Sequence, residues 1–296
     1  MPLLLLILFQ LFWSSTYTAM KLCMIDMPLG MVMIFRYGFA SLGFLVLGQL
    51  RLGEKFSPKE WGLIVMFGVL NFSGSPYLQL KSLTLTTAGD IAVMVSFEPL
   101  VVALLAVFIL KEKLHWTTLI TFFVATTGVL IMSGFSGGTH ALAWQRLWGD
   151  AVFLLSVLFE GLTSIAGKRL TQKHNPARLM AWLVLVGFVA NTLMNFEYLS
   201  SASLAKISWT SYALTAYMGI FCTTIAYGGW FILLKNLPVV SLSLSLFLQP
   251  IFGLVLAVIV LGEVLTPSTL FGSCLVLASL LIWNFQKIQN KLYSSN

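Results

Sequence analysis

Ten runs of about 20 mostly apolar residues follow one another along this chain, and they constrain its fold more than any other feature. A helix of about 20 apolar residues is long enough to cross the hydrocarbon core of a bilayer. Only short polar segments separate the runs, so none can hold a soluble domain. We therefore predict an all-α integral membrane protein with ten transmembrane helices, over residues 2–20, 29–49, 60–80, 87–110, 115–134, 149–167, 179–196, 210–234, 239–261 and 267–286.

The composition excludes most other classes of protein. Hydrophobic residues make up 58% of the chain and charged residues 9%, whereas soluble domains contain about 25% charged residues. A soluble enzyme, a nucleic-acid-binding module and a disordered protein are therefore excluded. The three cysteines lie far apart in or beside apolar runs, so we expect no disulfide framework and no metal site. No cofactor is expected, and the absence of a phosphate-binding Gly-Lys-Ser/Thr loop argues against transport driven by ATP.

The basic residues predict the orientation. With the N-terminus in the cytoplasm, 12 of the 17 lysines and arginines fall on the cytoplasmic side, four fall outside and Arg36 lies within a helix. Cytoplasmic loops of membrane proteins are enriched in Lys and Arg, so we expect both termini to be cytoplasmic. The first run lacks a basic start and a small-residue cleavage site, which favours a retained helix over a signal peptide.

An internal repeat divides the chain into two halves. The segment that starts at Phe97-Glu98-Pro99 and ends at Glu112 recurs as Leu248-Gln249-Pro250 ending at Glu263, 151 residues later. We predict one five-helix repeat over residues 1–140, a second over 141–286 and a cytoplasmic tail over 287–296. An odd number of helices per repeat inserts the second copy upside down. Such inverted repeats are typical of secondary transporters.

These residues resemble those of the EamA-type drug/metabolite transporter superfamily. The resemblance rests on the repeated (Glu/Gln)-Pro helix with its closing Glu, on Trp13-Ser14-Ser15-Thr16-Tyr17 in the first helix, and on Arg36 in the second. The second copy departs from the pattern, with Glu160 in the place of Trp13 and Val184 in that of Arg36. The resemblance covers nearly the whole chain. It implies movement of a metabolite or amino acid across a bacterial inner membrane, most often as efflux.

Three ionisable side chains fall well inside predicted helices: Glu98, Glu160 and Arg36. A charge at the centre of a bilayer costs about 2.5–3.5 kcal/mol on insertion scales, so such groups are expected to line a pathway or to pair with one another. Two interpretations stay open. The three groups can bind substrate or a proton, or they can only hold helices together.

Prolines and aromatic residues complete the candidate site. Pro99 and Pro250 each remove a backbone hydrogen bond, so we expect them to bend the fourth and ninth helices toward a shared cavity. Small and polar residues on the third and eighth helices indicate either walls of that cavity or close helix packing. The further candidates for its wall are Trp13, Tyr17, Asn71, Tyr77, Trp182, Tyr227, Trp230 and Gln249.

The prediction that follows is a secondary transporter for a small polar metabolite, such as an amino acid or a derivative. Export by alternating access is favoured, and transport is either coupled to protons or runs down the gradient of the substrate. Its partners are the small-molecule substrate and the lipid bilayer, with no nucleic acid, and the sequence does not predict an oligomeric state. An uptake carrier of the same fold is the first alternative. An integral-membrane enzyme that acts on lipid-linked substrates is the second, but the chain lacks the paired acids, His-rich loops or Ser/His pair such an enzyme requires.

Overall fold

A computed structural model describes residues 2–50, 55–83, 85, 97–132, 144–199, 207–261, 267–268 and 270–279. Across these residues the secondary structure is helical and contains no strand. The helices overlap the predicted apolar runs. They are α1 (Pro2–Cys23), α2 (Leu29–Val46), α3 (Pro58–Val69, Leu70–Gly74 and Ser75–Leu83), α4 (Glu98–Leu110), α5 (Trp116–Met132), α6 (Trp144–Leu170), α7 (Pro176–Asn195), α8 (Trp209–Tyr217, Met218–Ile225 and Ala226–Asn236), α9 (Val239–Ser243, Leu244–Phe247 and Leu248–Leu261) and α10 (Leu270–Ser279).

Seven of the described helices are long and apolar enough to cross a membrane, namely α1, α2, α3, α6, α7, α8 and α9. The described parts of α4, α5 and α10 are shorter apolar helices. Large apolar side chains point outward from the bundle: Val46 is 85% exposed, Phe123 is 75% exposed and Phe108 is 69% exposed. Exposed large apolar side chains occur on every one of the described helices α1 to α10, as expected for a surface that faces lipid. Over the described residues the prediction of an all-helical membrane protein is confirmed, with seven helices long enough to cross a bilayer where the sequence predicts ten.

The helices pack in matching pairs around a central contact between α2 and α7. Helix α2 also packs against α8, and α7 packs against α3. Helix α1 contacts α9 and α8, and α6 contacts α4 and α3. If α1 is exchanged with α6, α2 with α7, α3 with α8 and α4 with α9, the same set of contacts is obtained.

Helices α3 and α8 both contain a π-helical segment at mid-length, over Leu70–Gly74 and Met218–Ile225. These are the small and polar stretches that the sequence singles out. Such widened turns are rare and occur often at functional sites. The hydroxyl of Ser73 donates to the carbonyl of Gly187 at 3.3 Å, and that of Thr224 donates to the carbonyl of Ala40 at 3.0 Å. The two segments therefore fix α3 to α7 and α8 to α2 by equivalent hydrogen bonds.

The two Pro-containing helices differ in what the structure describes. In α9, a 3-10 segment over Leu244–Phe247 directly precedes Leu248, Gln249 and Pro250. Proline cannot donate to the carbonyl four residues earlier, which accounts for an irregular turn at this point. Helix α4 is described from Glu98, with Pro99 in its first turn. The segment before Phe97, where the predicted bend of the fourth helix falls, lies outside the described residues.

Candidate functional site

A cavity of about 120 Å³ lies where the two halves of the bundle meet. One water needs only about 10–15 Å³ on a comparable measure, so the cavity has room for a small molecule. Helices α1, α2, α3, α4, α6, α8 and α9 all contribute to its wall. Eight of the predicted site residues line it: Trp13, Arg36, Asn71, Glu98, Glu160, Tyr227, Trp230 and Gln249.

Glu160 is held in place by two donors on α3. The hydroxyl of Ser75 donates to Oε1 of Glu160 at 2.6 Å, and the side-chain amide of Gln79 donates to the same oxygen at 3.0 Å. Ser75 is fully buried and Glu160 is half-buried. Hydrogen bonds to a carboxylate are stronger than those between neutral groups. The pair of donors therefore orients this intramembrane acid toward the cavity.

Arg36 contributes the positive charge of the cavity wall. Its side chain is only 6% exposed, and its Nε donates to the hydroxyl of Thr223 at 3.2 Å. Thr223 belongs to the π-helical segment of α8. The ring of Tyr37 lies 5.3 Å from the guanidinium carbon, within the range of a cation–π contact. The cavity thus combines one guanidinium with two carboxyl groups, those of Glu98 and Glu160.

Gln249 occupies in α9 the position that Glu98 occupies in α4, and its contacts lie on α1. Its side-chain amide donates to Oε1 of Gln10 at 3.0 Å, and its backbone carbonyl accepts from the hydroxyl of Ser14 at 3.1 Å. Gln10 in turn donates to the hydroxyl of Ser245 at 2.9 Å. This buried polar network satisfies side chains that lipid could not.

An aromatic cluster forms another part of the wall. The ring of Trp13 lies 4.9 Å from that of Tyr227 and 5.3 Å from that of Trp230 in tilted and edge-on arrangements, as aromatic pairs prefer. The indole Nε1 of Trp13 donates to the carbonyl of Cys222 at 3.1 Å. The π-helical segment of α8 therefore supplies partners to both Trp13 and Arg36.

Five other predicted residues are placed differently or fall outside the description. The hydroxyl of Tyr77 donates to Asn195 near the end of α7, and the ring of Trp182 packs edge-on against Trp61. Neither side chain is among the described residues that line the cavity. The side chain of Tyr17 lies outside the described residues. Pro99 and Pro250 adjoin the lining residues Glu98 and Gln249 without lining the cavity themselves.

Sequence reasoning missed the neutral polar partners of Glu160 and Arg36, and it also missed the partner of Gln249. The missed residues are Ser75, Gln79, Thr223 and Gln10. Each lies inside a predicted transmembrane run, so its position in an apolar run was the available signal. Because serine and threonine also serve helix packing, that signal does not separate partners of a charge from packing residues. The glutamines carry the stronger indication, since a side-chain amide in lipid requires a partner.

The chain matches the EamA-like transporter family over residues 1–134 and 147–285. Among similar proteins, an uncharacterized transporter of Archaeoglobus fulgidus is 25% identical over 92% of this chain and 94% of its own length. A probable terminal-alkyne amino-acid exporter of Streptantibioticus cattleyicolor is 23% identical over 94% of this chain and 92% of its own.

A protein of known crystal structure shares the fold. It superposes with a TM-score of 0.79 at 18% sequence identity, covering 94% of this chain and 96% of the other. At this identity the likeness concerns the fold alone. It extends over nearly the whole length of both proteins, so no large part of the described bundle is without a counterpart.

Proposed function

Because the chain belongs to the EamA-like transporter family, we propose that this transporter is a secondary carrier for an amino acid or a closely related small metabolite. The similar proteins cited above carry the name transporter or exporter, so a membrane enzyme is not favoured. The charged side chains of the cavity wall are the observation on which the proposed substrate class rests.

The cavity wall offers partners for both charges of a zwitterion. The guanidinium of Arg36 suits a carboxylate, which it can bind through two parallel hydrogen bonds. The carboxyl groups of Glu98 and Glu160 suit an ammonium group. Trp13 and Tyr227 add apolar surface for a side chain. The similar protein from Streptantibioticus cattleyicolor is named a probable amino-acid exporter, which supports the same class.

Alternating access between two inverted five-helix repeats is the proposed mechanism. Three features support the repeats: the matching pairs of helix contacts, the π-helical segments in α3 and α8, and the hydrogen bonds Ser73–Gly187 and Thr224–Ala40. In these two hydrogen bonds, Thr224 of α8 lies 151 residues after Ser73 of α3, and Gly187 of α7 lies 147 residues after Ala40 of α2. A carrier of this design exposes one central site to each side in turn.

The proposal also covers the direction of transport, its coupling to protons and the membrane in which the protein lies. Export fits the name of the similar amino-acid exporter. Two acids facing one base leave a carboxyl group that can accept a proton, so proton coupling is proposed. The family resemblance supports a location in a bacterial inner membrane, and the basic-residue bias supports both termini in the cytoplasm.

Thermal unfolding of the purified protein with a panel of amino acids, amines and organic acids tests the substrate class. We expect stabilisation by compounds that carry both an ammonium and a carboxylate, and none by the amine or the acid alone. Compounds that stabilise the protein are then offered as radiolabelled substrates in counterflow into proteoliposomes, with Lys113→Ala as a control for a change at an exposed lysine. Stabilisation by none of the zwitterions, or no counterflow of those that stabilise the protein, would contradict the proposal.

A further inference from the structure

Both carboxylate oxygens of Glu112 form hydrogen bonds with the start of α9. The residue lies just beyond the end of α4, after Lys111, whose positive φ of 59° turns the chain. One carboxylate oxygen of Glu112 accepts from the backbone N–H of Val239 at 2.9 Å, and the other accepts from that of Val240 at 3.0 Å. The first N–H groups of a helix have no partner within the helix. Glu112 therefore caps α9 from the other half of the bundle.

The contact joins two helices that both line the cavity. Helix α4 contributes Glu98 and Val102, and α9 contributes Leu246 and Gln249. From Val102 to the end of α4, and from Leu246 back to the start of α9, the helices run about 10–12 Å at 1.5 Å per residue. Glu112 thus connects α4 to α9 well below the cavity, at one end of the bundle.

Two basic side chains form hydrogen bonds at the same end of the bundle as Glu112. The ammonium group of Lys168 donates to the carbonyl of Leu237 at 2.9 Å, and the guanidinium of Arg169 donates to the carbonyl of Ile109 at 2.7 Å. Both residues belong to the last turn of α6. Cations at the carboxyl ends of helices, like an anion at an amino end, complement the helix dipoles. The ends of α4, α6, α8 and α9 are therefore held together by charged contacts.

We propose that Glu112 is a positioning residue of the transport cycle, which holds this end of the cavity closed until α9 separates from it. The inference rests on the proposed carrier function. Glu112 is half-buried, so water can replace the lost partners when the contact opens. The cost of opening is then small enough for a conformational cycle, and loss of the carboxylate shifts the population toward the open form.

Accessibility of the cavity from each face of the membrane tests this assignment without a substrate. A variant without native cysteines carries Ser164→Cys, which places a thiol at the cavity. A membrane-impermeant thiol reagent is applied to inside-out and right-side-out vesicles. We expect Glu112→Ala to raise the modification rate from the cytoplasmic face roughly tenfold, which corresponds to about 1.4 kcal/mol. The matched control is Lys113→Ala, one residue away and exposed, which should leave the rate unchanged.

The outcomes separate the gate from the transport proposal. An unchanged rate in Glu112→Ala, or an equal rise in Lys113→Ala, would overturn the role of Glu112. A rise from the opposite face would support the gate and overturn the proposed orientation. If Glu112→Ala does not fold, Glu112→Gln keeps one acceptor and should give a smaller rise, and an unchanged rate there also overturns the gate. Absence of counterflow in the parent protein bears on the transport proposal alone.

Discussion

The hydroxyl of Ser75 donates a 2.6 Å hydrogen bond to Oε1 of Glu160, which joins α3 to α6 at the cavity. Ser75 directly follows the π-helical segment Leu70–Gly74. A widened turn adds a residue and so changes the direction in which the following side chains point. The irregular backbone of α3 thus places a hydrogen-bond donor against a carboxyl group inside the membrane.

Removal of the Ser75 hydroxyl should weaken the fold modestly. We expect Ser75→Ala to lower the free energy of unfolding by about 0.6 kcal/mol, the average for hydrogen bonds between transmembrane helices, and by no more than about 1.7 kcal/mol, the largest such value. In Glu160→Gln the loss should be smaller, because the amide oxygen can still accept from Ser75 but carries no charge. A double-mutant cycle measured by unfolding in mixed micelles gives the coupling. Equal losses from Ser75→Ala in both backgrounds would show that the charge of Glu160 adds nothing to the hydrogen bond.

Close approach of helices should make two equivalent glycines intolerant of a methyl group. A Cβ at Gly68 would lie 2.8 Å from the carbonyl oxygen of Leu183, and one at Gly219 would lie 2.5 Å from that of Arg36. Overpacking of this kind costs about 1–3 kcal/mol, so both alanine variants should unfold more readily. The matched control is Gly62→Ala in α3, where nothing lies within 4 Å of the added Cβ. There, helix propensity predicts a gain of about 0.5–1 kcal/mol. A loss at Gly62 as large as at Gly68 would contradict this explanation.

Asp26, in the loop between α1 and α2, should contribute stability that depends on pH. Its carboxylate accepts from the hydroxyl of Ser211 at 2.5 Å and from the backbone N–H of Ser208 at 2.8 Å, and these hydrogen bonds lower the pKa of Asp26 below its usual value. A lowered pKa in the folded state stabilises the protein above the unfolded-state pKa, about 3.9, and the contribution is lost as pH falls through the folded-state pKa. The difference in melting temperature between the parent and Asp26→Asn should therefore be constant near neutral pH and shrink in acid. A difference that grows below pH 4 would have the wrong sign.

The apolar pattern predicted the helices well, because length and hydropathy largely decide what crosses a bilayer. The helix predicted over residues 60–80 is found as α3, and that over 239–261 as α9. The π-helical segments could not be predicted, since they depend on hydrogen bonds between helices, such as Thr224 to Ala40. Gly68 approaches the carbonyl of Leu183, and Gly219 approaches that of Arg36. By these contacts the residue that corresponds to Arg36 is Leu183, one residue before the Val184 that the sequence comparison suggested. A sequence comparison without coordinates cannot resolve a shift of one residue between two diverged halves of a chain.

The charged residues illustrate a second limit. Arg36, Glu98 and Glu160 stood out because a charge in an apolar run is costly, and all three line the cavity. Tyr77 and Trp182 had no comparable signal, because aromatic side chains are equally favourable in packing and in cavity walls. Their partners, Asn195 and Trp61, depend on which helix face turns inward.

Topology is tested by labelling single cysteines with an impermeant reagent. With both termini in the cytoplasm, Lys113→Cys should be labelled from the inside and Glu263→Cys from the outside. Glu263 lies outside the described residues, so this prediction rests on the basic-residue bias and on the odd number of helices per repeat. Labelling of both positions from the cytoplasm alone would exclude an inverted second repeat.

The central claim is that Glu98 and Glu160, with Arg36, form the charged part of the transport pathway. Uptake into proteoliposomes at several internal and external pH values tests it most directly. Glu98→Gln copies the residue at position 249, so it should fold, retain stabilisation by substrate and lose much of the pH dependence of transport. Glu160→Gln should reduce transport further, because Trp13 stands at the equivalent position of the first repeat and offers no second acid. Wild-type rates and wild-type pH profiles in both variants would show that the two acids serve only the structure.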